Sequence, residues 1–159
     1  MKLNQPTITD RTFTRTLPDE LSYLAPEGEA ACITITCRPG GYVNPKYLAL
    51  IDQADLARQA DQLGLAEKMK DRSEYAAASD ANKRKYGEHR FSAIYDACVV
   101  DWATNIQDGG RPMVCDKERF MALAATRIPA ISDAFLDFAR FVEDVAAFYV
   151  EADKATEKN

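Results

Sequence analysis

The sequence predicts an α+β fold, mostly helical, in which a short N-terminal antiparallel β element packs on a helical body. Three observations predict it. Two segments within the first 40 residues, "TFTRTLP" and "ACITITC", alternate with the period of a strand. From Pro45 onward, apolar residues recur at steps of three and four, the period of a helix. Glycine and proline fall between these segments and punctuate them.

The elements follow in order. In the first segment Phe13, Arg15 and Leu17 share one side and Thr12, Thr14 and Thr16 the other. In the second, Ala31, Ile33, Ile35 and Cys37 oppose Cys32, Thr34 and Thr36. β-Branched residues in alternation favour a half-buried strand. The turn-rich link "PDELSYLAPEGEA" joins the two as an antiparallel pair. "RPGGY" at 38–42 ends this part. Asn44 before Pro45 then reads as an N-cap with proline at the first helical position. Tyr47, Leu48, Ile51, Ala54 and Leu56 continue a helix expected to fray near Gly64.

Residues 65–90 interleave seven Lys or Arg with five Asp or Glu, the pattern of a solvated helix face or a mobile connection. Phe91, Ile94, Tyr95, Cys98, Val99 and Trp102 then form one apolar stripe, expected to be a single helix ending at the tryptophan. "NIQDGGRPM" breaks it: Asp108-Gly109-Gly110 signals a tight turn and Pro112 bars helix continuation. Asp116 is placed as an N-cap for a short helix bearing Phe120, Leu123 and Ala124. Pro129 opens the last helix, striped by Ile131, Phe135, Phe138, Val142, Val145 and Tyr149, with "EADKATEKN" as a polar, frayed end. The expected organisation is a β element at 1–42 and a helical body at 43–159, folding as one cooperative domain.

With 159 residues, 47% hydrophobic and 28% charged, the composition is that of a soluble globular chain. No apolar run approaches the roughly 20 residues that span a bilayer, and the N-terminus lacks a signal-peptide core, so a cytoplasmic protein is expected. A net charge of −5 argues against nucleic acid and gives no support for an anionic membrane surface.

No catalytic or metal-binding pattern emerges. Cys32, Cys37, Cys98 and Cys115 form no C-x-x-C pair, and the one histidine is His89. His89 and Cys98 lie nine residues apart, about 13 Å along a continuous helix, too far for a thiol–imidazole pair. Asp133 and Asp137 share a helix face with Arg140 nearby, which reads as solvated surface and not as a calcium loop. Neither phosphate-binding nor nucleophile-elbow glycine motifs occur. No cofactor, metal or catalytic residue is therefore expected.

The aromatic residues Phe120, Phe135, Phe138, Phe141 and Phe148 admit two readings. One is a wide core face. The other is a groove that binds an apolar partner segment, with Trp102 as an anchor. Gly109, Gly110, Pro112 and Asp116 are structural turn and cap residues on either reading.

An amphipathic helix ending in "VVDW", then "NIQDGGRPM", then a capped helix "CDKERFMAL", then a closing helix resembles the tail assembly chaperones of long-tailed bacteriophages and prophages. Val99, Val100, Trp102, Asp108, Gly109, Gly110, Pro112, Asp116 and Phe120 carry the resemblance. It covers about residues 91–159, with the segments "TFTRTLPDE" and "ACITITCRP" similar to the β-rich start of such proteins. The resemblance implies a non-enzymatic protein of the bacterial host cytoplasm. Such a protein binds the tape measure protein, tail tube subunits or both during assembly and is absent from the mature virion. It also implies that a longer, frameshifted product is made in some members. A structural tail component, such as a tube or completion protein, is the alternative. A small enzyme ranks last.

Overall fold

The computed structural model describes residues 7–67 and 71–150. The fold is α+β and mostly helical, with a small antiparallel sheet packed on a helical body. Its first strands are those read from the alternation: β1, Arg11–Thr16, and β2, Cys32–Cys37. They pair antiparallel, Phe13 opposite Ile35 and Thr14 opposite Thr34. A short 3-10 helix at Asp19–Leu24 lies in the connection.

The third strand overturns an expectation. β3, Val99–Thr104, pairs antiparallel with β2, so the segment expected to end a helix is extended instead. Four of its six residues, Val99, Val100, Trp102 and Thr104, are β-branched or aromatic. The open edge of β2 supplies the hydrogen bonds that a helical turn would otherwise make. Trp102 lies opposite Ile35 and turns to the same buried face. A bulge falls where Thr36 pairs Asp101 but Cys37 pairs Val99, leaving Val100 over. It lets the helix run into the strand without a loop. The sheet order is β1-β2-β3, so residues from both sides of position 42 build one sheet. Its inner face carries Ile33, Ile35, Cys37 and Trp102, while Thr12, Thr14, Thr16, Thr34 and Thr36 line the other.

Helix α1, Pro45–Glu67, starts where Asn44 predicts: its Oδ1 accepts the Tyr47 N–H at 3.0 Å. It does not fray at Gly64 but continues through it to Glu67. Helix α2, Arg72–Cys98, includes most of the charged segment and is capped by Asp71, whose Oδ1 accepts the Ser73 N–H at 2.9 Å. The two helices pack side by side as a hairpin. After β3, two-residue strands β4, Gln107–Asp108, and β5, Arg111–Pro112, close around Gly109 and Gly110. These glycines hold φ of +58° and +77°, the left-handed pair a tight hairpin requires.

Asp116 caps helix α3, Lys117–Ala124, accepting the Arg119 N–H at 2.8 Å. Pro129 opens α4, Pro129–Glu143. That helix ends sooner than its stripe predicted. Asp144 leaves it, Val145–Phe148 makes a 3-10 turn, and Tyr149 bridges to Ile8 beside β1. The expected polar tail, Glu151 included, and the first six residues lie outside the described residues.

The core sits between the sheet and α2, α3 and α4. Phe120 is its hub: ring centroids of Tyr95, Trp102, Phe135 and Phe138 lie 5.0, 5.6, 5.1 and 6.2 Å away. Phe13 of β1 meets Phe138 at 5.5 Å and Phe141 at 5.7 Å. Arg15, inward on the same strand, reaches Asp137 of α4 at 2.8 Å. No helix among the described residues is long and apolar enough to cross a membrane.

Candidate functional site

The structure distributes the candidate residues between core and turns. Trp102, Phe120, Phe135, Phe138 and Phe148 are buried, and Phe141 is half-buried against Phe13 and Phe148. Of the two readings of this aromatic set, the geometry matches the wide core face. The sheet and neighbouring helices cover these rings among the described residues. Gly109 and Gly110 form the β4–β5 turn, Pro112 stands in β5, and Asp116 caps α3.

The chemistry-bearing groups are likewise dispersed or satisfied. His89 is exposed and Cys98 buried on the one continuous helix α2. Asp137 bonds Arg15 and Arg140, so it is engaged in ion pairs at the α4 surface. Burial pushes the Cys37 and Cys98 thiols up to about 12, which leaves them protonated and poor nucleophiles. Among the described residues no three His, Cys, Asp or Glu side chains assemble as a metal site.

Exposed apolar side chains are spread over several elements, Tyr23, Tyr42 and Val114 among them, and α1 carries three leucines. Leu56 and Leu63 are 65% and 74% exposed, and Leu48 is 40% exposed. Leu56 and Leu63 stand seven residues apart, nearly in line on the helix, with Ala49 and Ala60 on the same stripe. The contacts between α1 and α2 include several polar ones. Tyr86 Oη donates to Asp55 at 2.9 Å, Arg58 lies over the Tyr86 ring at 4.8 Å, and Lys85 pairs with Asp61 at 3.1 Å. Small residues, Ala54 and Ala93 among them, fill the seam and leave a shallow groove of about 260 Å³ between the helices. Thus α1 spends much of its polar chemistry on its neighbour and turns leucines outward. Covering these leucines with another apolar surface would remove their side chains from water.

Leu56 belongs to the helical spacing read from the sequence, whereas Leu63 does not appear in it. The seven-residue spacing was visible, but only the placement of α2 decides which side of α1 is covered. A second feature, a cavity of about 450 Å³, lies where α2 meets α3 and the start of α4. Its lining comes from three separated segments, so no linear motif announces it.

Compared with family models, curated proteins and solved structures, the chain finds no match in any of the three.

Proposed function

We propose that this chain is a non-enzymatic binding protein that acts as a tail assembly chaperone of a long-tailed phage or prophage. The single observation that carries the binding role is the outward leucine stripe of α1. An amphipathic helix of a partner can lay its apolar face along Leu56 and Leu63, pairing helix to helix. The resemblance of the segments around "DGGRPM" and "CDKERFMAL" supplies the partner: the tape measure protein, tail tube subunits or both. A long apolar-faced helical protein that must be kept from aggregating before tube assembly suits such a stripe. The acidic charge of the chain favours basic segments of that partner by complementarity. On this reading the protein works in the host cytoplasm and leaves before the virion is complete.

The test is co-expression with the tail tube and tape measure genes, followed by affinity capture and mass spectrometry. The reading expects a soluble complex with one of these proteins, lost in the Leu56→Ser/Leu63→Ser variant and absent from purified particles. Recovery within the particle would assign the alternative, a structural tail component. Capture of neither protein would overturn the tail assignment.

A further inference from the structure

We infer that the cavity between α2, α3 and α4 is a binding site for a small organic anion, an anionic group carried on an apolar body. The inference stands apart from the proposed partner surface on α1. The cavity holds about 450 Å³, within the range of roughly 300–1,000 Å³ typical of small-molecule sites. Its lining includes the apolar residues Phe91, Met121, Ala124 and Ala125. Arg84 of α2 and Arg127 of the α3–α4 link line it, both exposed to solvent, and neither forms an ion pair with any described residue. Glu88 is the one carboxylate in the lining, leaving it a net positive charge in a chain of net charge −5. Thr126 and Ser132 add hydroxyl donors.

The division of labour follows from these residue types. Two solvent-exposed arginines in one lining match a carboxylate or phosphate, which arginine binds by paired hydrogen bonds. The apolar residues of the same lining favour a ligand with a hydrocarbon or aromatic body over a bare inorganic ion. Gly87 keeps the space open. It lies within helix α2, where glycine is an unfavourable choice, and a Cβ placed there would meet no atom within 4 Å. Because Gly87 is part of the lining, a larger side chain there meets no steric obstacle at its root and takes up space beside the cavity.

The experiment is an amide chemical-shift titration of the full chain with phenyl phosphate, phenylacetate, benzyl alcohol and inorganic phosphate. The expected result is saturable shifts at Gly87, Phe91, Ala125, Arg127 and Ser132 with at least one aromatic anion. Affinity should fall about tenfold or more in Arg84→Ala/Arg127→Ala, the loss expected for charge-assisted hydrogen bonds. Gly87→Leu should keep the native spectrum elsewhere and lose the shifts. Preference for phenyl phosphate would assign phosphate esters, and preference for phenylacetate would assign carboxylates. Equal binding of benzyl alcohol would overturn the anion assignment. Equal binding of inorganic phosphate would reduce the cavity to a charged patch and overturn it too. Binding of neither aromatic anion, or binding unaffected by Gly87→Leu, would also overturn the inference.

Discussion

The hydroxyl of Tyr47 donates a 2.8 Å hydrogen bond to Oε1 of Glu143, 96 residues away in sequence. The same oxygen accepts from Arg90 Nη2 at 2.7 Å. One carboxylate thus ties the start of α1 and the C-terminal third of α2 to the end of α4. The base of the α1–α2 hairpin is held to the core by this cluster, while the leucine stripe runs outward from it.

Removing the hydroxyl tests this clamp. Tyr47→Phe keeps the buried ring and deletes one hydrogen bond to a charged group. It should cost about 1.5–3 kcal/mol, read as a lower urea midpoint at unchanged m-value. Amide exchange should rise first along α1 if the clamp anchors the hairpin.

Alkaline pH provides a second check. Burial pushes Cys37 up to about 12 from an ordinary 9.0, with the neighbouring Cys98 adding to the rise, and burial does the same to Cys98. Burial, then the hydrogen bond to Glu143, also raises Tyr47. Folded groups with raised values hold their protons where the unfolded chain releases them. Their contribution is therefore complete below pH 9 and declines as pH rises toward 12. Each thiol should remove up to about 1.4 kcal/mol of stability per pH unit in that window. Urea midpoints from pH 7 to 10.5 measure the slope, and Cys98→Ala should make it shallower.

The aromatic hub predicts a graded response. Phe120→Ala and Trp102→Ala each truncate a fully packed ring and should cost about 3–5 kcal/mol. Trp102→Phe should cost distinctly less. The indole Nε1 is buried without a hydrogen-bond partner among the described residues, and phenylalanine removes that unsatisfied donor. Thermal melts of the three variants rank them.

The β4–β5 turn predicts a difference between two conservative changes. Gly110→Ala forces an L side chain to φ +77° and should destabilise by about 1–2 kcal/mol. Gly109→Asn places asparagine at φ +58°, which it tolerates, and should be close to neutral. Denaturant midpoints separate the two.

Asp116→Ala removes the side-chain acceptor of the Arg119 N–H at the start of α3. The expected cost is about 1 kcal/mol, localised as faster amide exchange in the first turn of that helix.

Local chemistry by itself determined much of this protein. Alternation at 11–16 and 32–37 set two strands and their inward sides. Asn44, Asp116 and Pro129 marked helix starts through the hydrogen bonds they make or forgo. Gly109-Gly110 specified a tight hairpin because both positions need positive φ. Tertiary structure decided the rest. Val99 and Trp102 sit three apart, a spacing that suits a helical stripe, yet the open edge of β2 captured them as a strand. The α4 stripe ran on in sequence to Tyr149, but pairing of that residue beside Ile8 ended the helix first. The aromatic residues became core because the sheet covers them, and Leu56 and Leu63 became surface because α2 engages the other side of α1. Burial is a property of what lies opposite a side chain. Here the opposing elements are remote in sequence, so periodicity named the faces and only packing chose which of them water would meet.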